Sequence, residues 1–380
     1  MENKIQKVVR KMQEENRSIV NLSFPDFSFY SSLLQETFVE KAFSQLFKYP
    51  YYYPTAQGDA DAREAVSGYY REFGQELNPD RLILTSSINQ AYLYLFKIFS
   101  SGEILLPIPH HPEIDEIANF LGLTLKTYAL DPANNWQIDF SSLKKQISTK
   151  TKAIFLMSPG CPTGSVQSSA TLTELFASLK GQNITVVADE SLSDFIFEEK
   201  EFPILESFAE PNQALITLHG LANGFALPGL KLSWLTFHGS DQVCEGLMKA
   251  VEYLADTFLT LAQPVQAILP EIIAPSEKWR LKFQKQVEKN RDLTRKILKK
   301  SPKLEFSPAE GGFYCLIKPK ESKLTDQELT LDLLKKTGLY LHPGAYYGLN
   351  SADSYLVLSF LQDPAILKKS LKNLVAYFKK

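Results

Sequence analysis

Short apolar segments recur through the middle of the chain, and they constrain its fold more than any other feature. They lie at 103–106, 123–127, 153–157, 184–188, 214–218 and 232–237. Ala153-Ile154-Phe155-Leu156-Met157 is apolar throughout, and most of the others nearly so. A strand open to water on one face would alternate, so these read as strands covered on both faces. Segment 169–180 between them reads as a helix, and Ser87 caps another that carries Ala91, Leu95, Ile98 and Phe99 on one face. Strands and helices in alternation predict a mostly parallel sheet with helices on both sides. Farther on, 276–300 is long, charged and helical, with Trp279, Phe283, Val287 and Ile297 on a stripe. It suits a helix leading out of a large domain. Strands, including 312–317, and a final helix at 364–378 then form a smaller α+β domain. The residues alone therefore give an α/β protein of two unequal domains.

Bulk properties narrow the function by exclusion. A chain of 380 residues accommodates two domains, and 44% apolar with 22% charged residues is ordinary for a globular protein. The net charge of −2 gives no reason to expect nucleic acid or an anionic membrane as a partner. No apolar run approaches the length of a membrane span, and the first residues carry no apolar signal core. Cys161, Cys244 and Cys315 are odd in number and far apart, which implies neither a disulfide framework nor a metal site. A reducing cytoplasm is the expected location.

The motifs are more specific. Tyr53-Pro54-Thr55-Ala56-Gln57-Gly58 precedes Ala62-Arg63-Glu64-Ala65-Val66; Thr85-Ser86-Ser87-Ile88-Asn89-Gln90-Ala91 follows. Then come Pro107-Ile108-Pro109-His110-His111-Pro112, Ser158-Pro159-Gly160-Cys161-Pro162-Thr163-Gly164 and Asp189-Glu190-Ser191-Leu192. Residues 218–234 run Leu-His-Gly-Leu-Ala-Asn-Gly-Phe-Ala-Leu-Pro-Gly-Leu-Lys-Leu-Ser-Trp, and Tyr355-Leu356-Val357-Leu358-Ser359-Phe360 lies near the end. In this order the set resembles the fold-type I, class I/II pyridoxal-phosphate (PLP) aminotransferases over nearly the whole chain. The resemblance implies the PLP-dependent transferase fold: a large domain with a mostly parallel seven-stranded sheet between helices, and a small C-terminal α+β domain. It places the N-terminal segment at 1–45, packed with the small domain, the large domain at 46–275 and the small one at 276–380. It also implies a homodimer that binds a small molecule.

Carried over residue by residue, the resemblance assigns cofactor contacts and finds several altered. Tyr53 would reach the phosphate of the neighbouring subunit, or is one aromatic in a tyrosine-rich stretch. Ser87 and Ile88 open a helix whose N–H groups and dipole suit phosphate, or form a plain N-cap. His111 stands where an aromatic stacks on the ring, and Asp189 where a carboxylate pairs with the ring nitrogen. Both partners of the ring hydroxyl are changed, to Cys161 and Leu192. The family pattern Ser-x-Ser-Lys, then Leu-Pro-Gly-Leu-Arg-x-Gly-Trp, covers 220–234. Gly220 and Ala222 replace its hydroxyls, the first a phosphate ligand, and Lys231 replaces its phosphate-binding arginine without the bidentate fork. Asn223 stands at the lysine that forms a Schiff base, and an amide forms none. Val357 replaces the arginine that clamps the substrate carboxylate. Scaffold glycines and prolines are kept while side-chain ligands change. An aminotransferase-like protein impaired for ordinary transamination is therefore the expected reading. It would be a pseudoenzyme, or would use PLP or its amine form non-covalently. The alternatives are an active aminotransferase with a relocated lysine and a small-molecule-binding module in a repurposed cleft, with no PLP.

Overall fold

The structure, a computed structural model, describes residues 4–31, 40, 43–44, 55–197, 203–259 and 261–379. Tyr53 lies outside them. Chain order gives the strands β1 (Val20–Asn21), β2 (Leu82–Thr85), β3 (Glu103–Ile108), β4 (Lys126–Asp131), β5 (Gln137–Ile138), β6 (Thr151–Met157) and β7 (Thr185–Asp189). They continue as β8 (Leu215–Gly220), β9 (Ser233–His238), β10 (Leu304–Phe306), β11 (Tyr314–Pro319), β12 (Leu339–Tyr340), β13 (His342–Pro343) and β14 (Leu356–Ser359).

The large sheet has eight strands in the order β2-β9-β8-β7-β6-β3-β4-β5. One more strand is present than the seven expected. Strands β4, β3, β6, β7 and β8 run parallel; β9 is antiparallel to both β8 and β2, and β5 to β4. Alternate residues of each strand feed two cores. Ile154, Leu156, Val186 and Ala188 join one; Ala153, Phe155, Val187 and Ile216 join the other. Helices Ala60–Arg71 and Ser169–Ser178 cover the first face, and Ile88–Phe99 and Asp241–Phe258 the second. Burial on both faces is why the central strands carry apolar residues on both sides rather than on alternate positions only.

The fourth strand starts later than the sequence suggests. Leu123 and Leu125 lie in the irregular segment between helix Pro112–Phe120 and β4 and pack half-buried against the second core. Their alternation reflects that packing, and pairing with β3 begins only at Lys126.

A second sheet, β10-β11-β14-β13, is antiparallel throughout. Helices Glu277–Leu298, Asp326–Thr337 and Pro364–Lys379 accompany it. The first of these carries the expected stripe, with Trp279, Phe283, Val287 and Ile297 all buried. The N-terminal chain joins this half: β1 pairs with β12, and the Ser359 N–H donates to the Leu22 carbonyl at 2.7 Å.

Candidate functional site

A cleft of about 360 Å³ opens at the C-terminal ends of β6 and β7, where Met157 and Asp189 lie. Ligand sites of open α/β sheets gather at this edge. Its other walls are the start of helix Ile88–Phe99, the 222–231 loop between β8 and β9, Phe24 and Pro25, and Phe313 and Tyr314. Of the residues expected to form a site, Ser87, Ile88, His111, Cys161, Asp189, Asn223 and Lys231 all line it. Val357 does not. It is buried in β14, opposite Leu316 and His342.

Asp189 is the best-anchored polar group. It is 4% exposed, its Oδ1 accepts from the Ser191 N–H at 2.9 Å, and its Oδ2 accepts from the Tyr92 hydroxyl at 2.9 Å. Burial, reinforced by the Asp189 charge, pushes the Tyr92 phenol well above the ordinary tyrosine range, so it remains a donor. Sequence reasoning missed Tyr92. Its signal was its place one turn after Ile88 on the same helix face.

At the start of helix Ile88–Phe99, Ser87 Oγ accepts from the Gln90 N–H, while the Ser86 N–H and hydroxyl both meet Gln90 Oε1. The first N–H groups, those of Ile88 and Asn89, have no intrahelical acceptor and sit at the cleft. Ser87 has φ −170°, extended backbone that needs no glycine. Lys231 is exposed at the same cleft in left-handed backbone (φ 52°) and has no partner among the described residues.

The remaining expected contacts are less suited to polar recognition. His111 Nδ1 accepts from the Glu113 N–H at 3.4 Å, which puts the proton of the neutral ring on Nε2. Burial lowers its pKa against the pull of Glu113 and Asp189, and its ring meets Tyr347 edge-on. Burial, with Asp189 and Glu113, pushes the Cys161 thiol far up, so it is no thiolate nucleophile. Leu192 offers only hydrocarbon. The Asn223 side chain is half-buried and makes no hydrogen bond among the described residues; its carbonyl accepts from the Ala226 N–H.

Behind the Asn223 loop lies a buried polar cluster with no local sequence signal. Asp194 Oδ2 lies 3.0 Å from His219 Nε2, and its Oδ1 accepts from the Tyr69 hydroxyl at 2.9 Å and lies 3.6 Å from Arg280 Nη1. Because His219 Nδ1 accepts from the Gly220 N–H, the proton of the neutral ring faces Asp194. His219 therefore points away from the cleft. Burial pushes the Asp194 carboxyl up, but His219, Arg280 and Tyr69 outweigh it and hold it below the usual carboxylate range.

Glu190, next to Asp189, contrasts with it. Burial, then the charges of Glu206 and Asp189, push its carboxyl up to about 8, against a hydrogen bond from Thr217. Thr217 Oγ1 is 2.6 Å from Thr236 Oγ1, which is 2.6 Å from His238 Nε2, and His238 Nδ1 is 2.9 Å from Glu206.

Comparisons with known proteins agree with one another. A family model for aminotransferase class I and II matches residues 18–366. Tyrosine aminotransferase of Dictyostelium discoideum is 26% identical over 367 residues, covering 91% of this chain and 87% of that protein. Tyrosine aminotransferase of Mus musculus is 28% identical over 332 residues, covering 83% and 71%. Among solved structures, the alanine aminotransferase from Pyrococcus furiosus superposes with a TM-score of 0.89 at 23% identity, covering 99% of this chain and 96% of that one. Tyrosine aminotransferase from Leishmania infantum gives 0.87 at 19%, covering 95% and 92%.

Proposed function

Because the chain belongs to the class I and II aminotransferases, we propose that it is an aminotransferase-like homodimer that holds PLP or its amine form without a covalent bond and is impaired for ordinary transamination. Asn223 carries this reading. It lines the cleft with a free side-chain amide, and Lys231 is the only lysine among the described lining residues. An amide neither condenses with an aldehyde nor accepts a proton near neutral pH.

The cleft fits the cofactor's ends better than its reactive carbon. Asp189, fixed by Tyr92 and Ser191, would face a ring nitrogen. The first N–H groups of helix Ile88–Phe99 and the Lys231 ammonium would hold a phosphate. When bound, PLP supplies an electron-withdrawing ring. Leu192 and the neutral Cys161 thiol give that ring's hydroxyl little to bond, and Asn223 supplies no base for moving a proton. With Val357 buried away from the cleft, no described lining residue forks onto a substrate carboxylate.

A second reading, covalent capture by Lys231, is favoured by that side chain's place at the cleft with no partner. Titration of the dialysed protein with PLP, followed by borohydride, separates the two. A saturable spectral change with no trapped adduct supports non-covalent binding. An adduct on Lys231 would establish the relocated lysine, and no spectral change would favour a repurposed cleft.

A further inference from the structure

Ser233 opens β9 directly across from Gly220, the last residue of β8. A Cβ built on Gly220 would lie 2.9 Å from both Cα and Cβ of Ser233 and would overlap its Oγ. This end of the strand pair thus has room for one side chain, and the chain places it at 233. The family pattern has the opposite arrangement, a hydroxyl at the position of Gly220 and glycine at that of Ser233.

The hydroxyl at 233 is poised for a ligand. Ser233 is 2% exposed as a residue and lines the cleft, and its Oγ has no hydrogen-bond partner among the described residues. A hydroxyl held on a cleft wall with no protein partner keeps both its donor and its acceptor capacity for whatever occupies the cleft. Around the same cleft stand Lys231, two residues earlier, and the open N–H groups of the twelve-residue helix Ile88–Phe99, whose dipole favours negative charge.

We propose that the Ser233 hydroxyl is an anion-binding group of this cleft, a cross-strand replacement for the side chain missing at Gly220, and that its ligand is the phosphate of a small aromatic phosphomonoester. The aromatic part rests on the cofactor reading above; the phosphate part does not. Ser233 donates one hydrogen bond to a phosphate oxygen, Lys231 supplies the charge, and the helix supplies backbone donors. The exchange keeps a hydroxyl at the strand end while reversing which strand carries it.

The test compares PLP with pyridoxal, which lacks the phosphate, by equilibrium titration. In Ser233→Ala the affinity for PLP should fall roughly 10-fold, the usual effect of removing one hydrogen bond to a charged group, and that for pyridoxal should not change. Gly220→Ser alone should weaken PLP binding, since its side chain collides with Ser233. The reciprocal double variant Gly220→Ser/Ser233→Gly should return to within about 3-fold of the wild type, as coupled neighbours do. Equal PLP affinity in the wild type and Ser233→Ala would overturn the inference and leave the cofactor reading intact. If the wild type takes up no PLP, the cofactor reading falls alone. Inorganic phosphate then decides the inference: it should raise the melting temperature of the wild type and not that of Ser233→Ala, and an equal effect on both would overturn it.

Discussion

Replacing Gly224 with alanine tests whether the Asp194 cluster anchors the loop that presents Asn223. A Cβ on Gly224 would overlap both Oδ2 and Cγ of Asp194. The carboxylate has nowhere to retreat. Its side chain is 0% exposed, and it is held by His219 at 3.0 Å, Tyr69 at 2.9 Å and Arg280 at 3.6 Å. Two outcomes compete. If the loop shifts, the cost is that of overpacking, about 1–3 kcal/mol. If the carboxylate is displaced and the buried pair breaks, it is about 3–5 kcal/mol. The clash is with the charged oxygen facing His219, so the second should prevail. A chain of this length has an unfolding entropy of roughly 0.8 kcal/mol per kelvin, so a loss of about 4 kcal/mol lowers Tm by roughly 5 °C. Circular-dichroism melts of Gly224→Ala, Asp194→Ala and the double variant measure this. With the carboxylate gone, the added methyl should cost much less, giving strong non-additivity. A Gly224→Ala melt within 1 °C of the wild type, or effects that simply add, would refute the anchoring role.

Other expectations follow from the same groups. Glu190 has a folded pKa of about 8, raised from 4.5. The folded state therefore binds a proton that the unfolded state releases across pH 4.5 to 8. The stability from that proton is fully present below 4.5 and is lost as pH rises to 8, at roughly 1.4 kcal/mol per pH unit. Glu190→Gln should flatten that slope in denaturant titrations run across the window, and an unchanged slope would exclude Glu190 as its source. Tyr92→Phe removes a hydrogen bond to the Asp189 carboxylate, worth roughly 1.5–3 kcal/mol, and should lower Tm by about 2–4 °C. A neutral result would mean the phenol contributes no net stability there. In Asn223→Lys, borohydride should trap PLP on residue 223, as peptide mass mapping would report; failure of this variant to bind PLP would favour a repurposed cleft.

Much of the fold is legible in the sequence because burial leaves a direct mark. Segment 153–157 is apolar at every position and 184–188 at all but Thr185, and both become central strands with cores on each side. Helix Glu277–Leu298 declares its buried face by spacing alone. Strand direction leaves no such mark, since side chains alternate identically either way along a strand. Hence β9, antiparallel to β8 and β2, is legible as a strand but not in its orientation. The two-residue β5 is too short for any pattern. Leu123 and Leu125 mislead because an irregular segment packed against the core alternates as a strand does.

At the site, local motifs name most of the cleft walls, and Ser87, Ile88, His111, Cys161, Asp189, Asn223 and Lys231 converge on one cleft, while Val357 does not. What spacing hides is contact between segments distant in sequence. Tyr92 lies 97 residues from Asp189, and nothing in either stretch announces the hydrogen bond. The pair Gly220 and Ser233 makes the sharper case. Read position by position, Gly220 is a lost ligand, whereas the register puts a free hydroxyl opposite it, at the same end of the strand pair. Loss at a position is therefore not loss at a place, and each altered residue has to be weighed with its neighbours. Asn223 keeps its place in the proposed reading, because among the described lining residues only Lys231 offers an amine, and that lysine is proposed to meet the phosphate. Val357 has no such compensation either: its cross-strand neighbours are Leu316 and His342, and it does not reach the cleft. The departures thus divide by chemistry. Asp189, proposed to face a ring nitrogen, is kept, and the groups proposed to hold an anion have replacements nearby, while those that form a covalent bond or grip a carboxylate do not. That division is what the proposed reading, a ligand held without a covalent bond, would leave behind.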